Sequence, residues 1–327
     1  MIHPIPPGTR DVLPEEMAEL RRLQSSLLGA FERFGFREVR TPTIEYAEVI
    51  ERGGGSGGDA GYRFFDDRGE LLALRTDMTI PIARLVAARF GDLDPPFRLS
   101  YLANAYRAVT PQRAELREFG QAGVELIGAE GAEGTAEVVE VLVETLDSVG
   151  LGQARIGLGE AGLWESLLTD LGGDEPLLEE TTGLLARHDI VGIETALGES
   201  ALSDDDAESL LAMIQLRGGP EVIATARDLG GRLFGERLDR LEATYAAISA
   251  RDRAGRVQVD LGLMRELGYY SGSTLEVYDP SVGEIIGGGG RYDGLMRRFG
   301  ADHAAAGFTL YIERIHKAQI EGGLSGA

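Results

Sequence analysis

The chain has no cysteine among its 327 residues. Disulfides, thiolate zinc sites and a cysteine nucleophile are therefore excluded, although missing thiols do not by themselves fix a compartment. Histidine is scarce too: His3, His188, His303 and His316 are scattered without the spacing of metal ligands. No run of about 18 apolar residues is present to span a bilayer. The opening MIHPIPPGTRD has neither the basic flank nor the apolar stretch of a secretory signal, so a soluble, cytoplasmic chain with no membrane partner is expected. Basic residues number 32 against 54 acidic ones, a formal net charge of -22. Binding a nucleic acid requires positive charge to displace the counterions around its phosphates, so this balance disfavours a chain that wraps a polynucleotide. The plainer use of the acid is solubility, and a local basic groove is compatible with it.

With 43% hydrophobic residues the chain can bury a substantial core, and its length suits two domains or one large domain with an insertion. Residues 15–35 carry apolar side chains at helical spacing and stop at Gly35, which predicts an amphipathic helix burying Leu20, Leu23, Leu27 and Phe31. FREVRTPTIEYAEVI alternates and contains Pro42, as a strand ending in a loop at an interface would. RGGGSGGDAG, residues 52–61, is too glycine-rich to pack and predicts a loop. YRFFDD and ELLALR, parted by Arg68 and Gly69, predict a hairpin. PFRLSYLANAYRAV and REFGQAGVELIG predict two long antiparallel strands joined by TPQRAEL. VVEVLVETL is helical, and residues 156–254 are predicted to form a helical insertion. Strand character returns in RVQVDLG, YYSGSTLEVYDP, EIIGGGG and AAAGFTLYI. The order strands, helices, strands predicts an α+β fold: a mainly antiparallel sheet flanked by helices, its core split into 1–155 and 255–327, with no internal repeat.

Four stretches hold polar groups where strand periodicity puts them on one face. Asp77 and Thr79 are two apart in LRTDMT, and Gln121 and Glu125 are four apart in REFGQAGVE, beside Phe119 and Gly123. Together they offer acceptors for an ammonium group or a ring N–H, although a solvated sheet face gives the same pattern. Tyr269 and Tyr270 are predicted to point to opposite faces, one lining a pocket and one packing. IIGGGGRYDGL permits close backbone approach to something flat or anionic, or forms a tight turn. It is neither a Walker loop nor a Rossmann fingerprint.

Taken in their order and spacing, GTRD, LRTDMT, the PQ and REFGQAGVE segment, LMRELGYYSGSTLE, GGGGRYDGL and GFTLYIERI resemble histidyl-tRNA synthetase and its relatives over nearly the whole chain. The resemblance implies the class II aminoacyl-tRNA synthetase fold, a six- or seven-stranded antiparallel sheet, dimeric, with a helical insertion. It implies that Asp77, in place of the usual Glu, and Thr79 hold an amino group, and that Gln121 meets the amino-acid backbone. Arg107 matches the arginine that meets the carboxylate, Glu125 and Tyr270 match the imidazole-recognising pair, Tyr269 the wall, and Arg265 a retained family arginine. The physical logic is a charge-assisted contact at each end of a histidine ligand.

The nucleotide half departs from the family. Val109 and Thr110 replace a Glu-Arg pair, Glu115 replaces a triphosphate-binding arginine, and bulky Tyr311 stands where glycine admits a nucleotide, while Arg314 is retained. A carboxylate beside phosphates in a partly desolvated site is repulsive by several kcal/mol. No anticodon-binding domain is expected after the last motif. This combination resembles the regulatory subunits of ATP phosphoribosyltransferase, synthetase paralogues of histidine biosynthesis. That resemblance implies no cofactor, no metal, no tRNA and no catalysis of its own. It also implies a short-form catalytic subunit as partner, histidine as feedback effector, and a homodimer within a hetero-octamer. A truncated synthetase or histidine-activating ligase is the alternative, and a free histidine-binding protein a third.

Overall fold

The computed structural model describes residues 5–54, 61–108, 116–230, 235–264 and 268–324. The helices are α1 (Pro14–Arg33), α2 (Ala47–Arg52), α3 (Thr79–Arg89), α4 (Gly131–Ser148), α5 (Leu163–Asp170), α6 (Glu175–Ala186), α7 (Ile190–Gly198), α8 (Asp204–Ile214), α9 (Glu221–Gly230), α10 (Gly235–Ala250), α11 (Asp293–Arg298) and α12 (Ile312–Glu321). The strands are β1 (Arg37–Glu38), β2 (Ile44–Tyr46), β3 (Arg63–Phe65), β4 (Leu71–Leu74), β5 (Phe97–Tyr106), β6 (Glu118–Ile127), β7 (Arg155–Glu160), β8 (Arg217–Gly218), β9 (Val257–Asp260), β10 (Ser273–Tyr278), β11 (Ile285–Arg291) and β12 (Ala305–Tyr311).

Among the described residues, nine strands form one sheet in the order β1-β5-β6-β12-β11-β10-β7-β9-β8. Its six central strands, β5 to β7 in that order, are antiparallel, as expected. The expected six or seven strands become nine because β1 and β9 add themselves in parallel at the two sides and β8 caps β9. Residues 156–160, placed in the insertion from sequence, lie in β7 inside this sheet, and the helical run opens with α5. The switch is local: Gly157 and Gly159 mask the alternation by which Ile156, Leu158 and Glu160 share a face.

α1 forms where predicted because Pro14 sets its first turn, Glu15 and Glu16 complement the positive helix end, and Gly35 at φ +78° terminates the chain direction. Its buried stripe, Leu20, Leu23, Leu27 and Phe31, packs with α4 against one face of the sheet, where Phe31 meets Phe308 edge-on at 5.9 Å. α10 is fastened across α4 by Arg251–Glu140, and the following turn by Arg253–Glu144 and Arg256–Asp147.

The other sheet face carries a second core of Met78, Ile80 and Ile82 from the α3 region, Leu295 and Met296 from α11, and Tyr101, Tyr269 and Tyr292. Beside it, β2, β4 and β3 form a separate antiparallel sheet containing the expected hairpin. Its inner face buries Glu45 and Ala73, while the row Tyr46, Leu72 and Phe64 and the neighbouring Ile44 face outward. Residues 55–60, within the glycine-rich stretch expected to form a loop, and residues 109–115, which include most of the expected connection TPQRAEL, lie outside the described residues.

Phe31 tests the helix-on-sheet core. Phe31→Ala should lower unfolding stability by about 3–5 kcal/mol through lost burial and a residual cavity, read from the shift in denaturant midpoint at constant slope.

Candidate functional site

Strand periodicity brings the polar residues of β6 onto the second face: Gln121, Gly123 and Glu125 point the same way, and their register partners on β12 are Tyr311, Thr309 and Gly307. A Cβ at Gly307 would collide with the Glu125 carboxylate, so this glycine makes room for the acid. Gly123 likewise makes room for Tyr101, whose hydroxyl meets Thr309 Oγ1 at 2.5 Å.

Glu125 is the deepest charge-bearing group of the site, 1% exposed. Thr79 Oγ1, at the first residue of α3, donates to its Oε1 at 2.8 Å, and the Tyr292 hydroxyl, at the cap of α11, donates to its Oε2. Burial pushes its pKa up to about 8, although both hydroxyl donors favour the carboxylate; the nearby Asp77 adds a smaller push in the same direction. Asp77 is itself raised by desolvation, partly relieved by the Ile80 N–H, which donates to Oδ1 at 2.9 Å, and by Thr76. Two acids thus share one desolvated wall, a wall suited to a cation or to N–H donors.

Gln121 is 4% exposed, and its Oε1 is buried with no hydrogen-bond partner among the described residues. An amide oxygen left so is a docking point for a donor, because an unmet buried acceptor costs about 1–3 kcal/mol. Tyr269 and Tyr270 do not point to opposite faces. They precede β10, and their rings lie 5.0 Å apart at 52°, with Tyr292 edge-on to Tyr269 at 5.8 Å. The four glycines form no turn: they are the middle of β11, and the flat group that Gly290 admits is the Tyr270 ring, 3.0 Å from where a Cβ would stand. The hydroxyls of Tyr292, Tyr101 and Thr309 belong to the site and are additions to the residues read from sequence.

The histidyl-tRNA synthetase family profile matches residues 8–315. An ATP phosphoribosyltransferase regulatory subunit of Symbiobacterium thermophilum is 40% identical over 326 residues, covering 99% of this chain and 82% of that protein. The like-named protein of Moorella thermoacetica is 39% identical over 319 residues, covering 97% and 82%. The crystal structure of a Bacillus halodurans protein titled ATP phosphoribosyltransferase regulatory subunit/histidyl-tRNA synthetase superposes with TM-score 0.89 at 31% identity, covering 97% of this chain and 83% of that one. The chain belongs to the ATP phosphoribosyltransferase regulatory subunits within the histidyl-tRNA synthetase family.

For a regulatory subunit the informative region is the one beside Gln121. Tyr311, its register partner, packs its ring 6.0 Å from that of Phe119, at 69°. The Arg314 guanidinium lies 4.7 Å from the Tyr311 ring and that of Arg107 lies 5.3 Å from Phe119, so cation, ring, ring and cation run in series. Arg314 also donates to the Ile285 carbonyl at 2.6 Å and approaches Glu284 at 3.3 Å. The space between Phe119 and Arg314 is thus taken by the protein's own ring. Arg265, Val109, Thr110 and Glu115 lie outside the described residues. Among the described residues no group of His, Cys, Asp and Glu is arranged to hold a metal.

Glu125 gives a pH signature. Its folded pKa, about 8, lies above its ordinary 4.5, so the folded chain holds a proton that the unfolded chain has released. Stability from this group is present in full below the ordinary value and is lost as pH rises toward about 8, by up to about 1.4 kcal/mol per pH unit. Glu125→Gln, which cannot ionise, should flatten the fall in urea midpoint between pH 5 and pH 8 by that slope; an unchanged profile would contradict the assignment.

Proposed function

We propose that this chain is the non-catalytic, histidine-sensing subunit of a cytoplasmic ATP phosphoribosyltransferase in histidine biosynthesis. It is required by a short-form catalytic subunit, and its pocket around Glu125 is where histidine exerts feedback. The observation that carries this reading is the contrast between the two halves of the site. Asp77 and Glu125 are desolvated acids and Gln121 offers an unmet acceptor, while the neighbouring slot between Phe119 and Arg314 is filled by Tyr311.

In this reading Asp77 and Thr79 receive the ammonium group, Gln121 meets the amino-acid backbone, Arg107 serves the carboxylate, and Arg265 is counted with the histidine-binding residues on its match to the family motif alone. Glu125 and Tyr270 meet the imidazole, and Tyr269 forms the wall. Histidine acts as a linked ligand: it favours one arrangement of the assembly, and turnover by the partner falls as that arrangement is populated. The chain carries no aminoacylation chemistry, since with Tyr311 in place a purine ring has no slot, and Val109, Thr110 and Glu115 supply no cation for a triphosphate. Nor does it take tRNA. Residues 163–214, from α5 to α8, hold thirteen acidic residues against one arginine, a lobe that repels a phosphate backbone.

A homodimer within a hetero-octamer is supported by the outer face of the small sheet. Tyr46 and Ile44 there are 52% and 46% exposed beside Phe64 and Leu72, an apolar patch continuous across three strands.

Mixing the purified chain with the short-form catalytic subunit should yield a stable complex whose phosphoribosyl transfer exceeds that of the catalytic subunit alone and falls when histidine is added. A partner that neither binds nor gains activity would overturn the reading, and robust histidine-dependent ATP–pyrophosphate exchange by the chain alone would establish a ligase instead.

Within the pocket, Glu125→Ala should abolish calorimetric histidine binding, a loss of at least about 2 kcal/mol for removal of a buried, charge-assisted partner, with an unchanged circular dichroism spectrum. Unaltered affinity would refute the placement of the imidazole.

A further inference from the structure

The two hydroxyls that grip Glu125 stand at the starts of two helices, α3 for Thr79 and α11 for Tyr292. Both helices run to the same two glycines after α2. From α3, Ile80 packs so closely on Gly53 that a Cβ there would lie 2.6 Å from its side chain. From α11, Arg298 donates through Nη1 to the Gly53 carbonyl at 2.9 Å and through Nη2 to the Gly268 carbonyl at 3.1 Å. Gly54, at φ +82°, leaves the seat for this guanidinium, which any side chain there would strike. Gly268 lies next to Tyr269 and Tyr270, and Ser271 Oγ accepts the Asp293 N–H at 2.8 Å, so α11 is bound to that tyrosine segment at both ends. α2 in turn follows directly on β2, whose Ile44 and Tyr46 face outward.

We propose that Gly53–Gly54 is the relay through which the state of the Glu125 pocket reaches α2 and the outward apolar sheet, with Arg298 as the positioning residue that couples them. The proposal rests on the reading of that pocket as the effector site. A ligand that draws Glu125 away from Tyr292 or Thr79 loads the starts of both helices. Short packed helices shift as rigid units, so the movement appears where they meet. Arg298 suits the role because a planar fork can hold two carbonyls at once, whereas a lysine ammonium is a single point donor.

The test is a double-mutant cycle on the full chain, read by amide hydrogen exchange at Ala47–Gly53 with α4 as the control for global opening. Tyr292→Phe, which removes one grip on Glu125, should speed exchange at Ala47–Gly53 by about threefold or more when Arg298 is present and have no such effect in Arg298→Met. Arg298→Lys should behave as Arg298→Met, and Gly54→Ala, which evicts the guanidinium without touching Arg298, should do the same. Histidine, which by this mechanism loosens the same grip, should speed exchange at Ala47–Gly53 in the parent chain and leave it unaltered in Arg298→Met, while calorimetric affinity stays within about threefold. An equal Tyr292→Phe effect with and without Arg298 would overturn the coupling. If histidine fails to bind the parent chain, the effector reading falls, and the Tyr292→Phe cycle still decides the relay.

Discussion

A carboxyl group with almost no access to water must be gripped, and the grip on Glu125 organises this molecule. Its two hydroxyl partners come from positions 46 and 167 residues away. Satisfying them fixes the starting points of α3 and α11 and the packing of the second core. Gly307 is bare so that the acid fits, and Gly123 is bare so that Tyr101 can seal the floor beside it. The nine-stranded sheet supplies the rigid base, but this carboxyl decides what stands on it.

Burial also makes the group responsive. Near neutral pH an empty pocket holds Glu125 largely protonated, because desolvation outweighs two good donors. A ligand carrying positive charge or ring N–H groups supplies what the protein withholds and tips the acid toward its ionised form. The unmet Gln121 oxygen works in the same sense. Desolvation at Glu125 and the unmet oxygen of Gln121 thus act in the same direction, both favouring a hydrogen-bond donor.

Part of the site was legible in the sequence because Gln121 and Glu125 lie on a strand; Asp77 and Thr79, expected to share a face of an extended segment, instead stand at the start of α3. A period of two places Gln121 and Glu125 on one face without knowledge of the fold, and α1 announced itself through its apolar stripe and Gly35. Tyr292 was not legible: it follows the glycine strand in RYDG, where a helix start is all that local pattern conveys, and only the third dimension carries it to Glu125. The tyrosine pair failed for the opposite reason. Tyr269 and Tyr270 lie before β10, where period two has no force, and their rings pack against each other at a tilt of 52°. The glycine run gave the strand but not the occupant, since the flat group that Gly290 receives is supplied by Tyr270 of the same chain.

Tyr311 shows how a pocket can change use with little change of fold. Glycine at that place would leave Phe119 and Arg314 facing each other across a gap wide enough for a planar ring, with a cation ready on one side. A tyrosine fills the gap with a covalently tethered ring, whose effective concentration no dissolved ligand can match. Tyr311 shares its register row with Gln121 but not with Glu125, from which Thr309 and Gly123 separate it on the same two strands. One row of the sheet can thus be filled by a single side chain while the row of Glu125 keeps its own neighbours, with no change of scaffold.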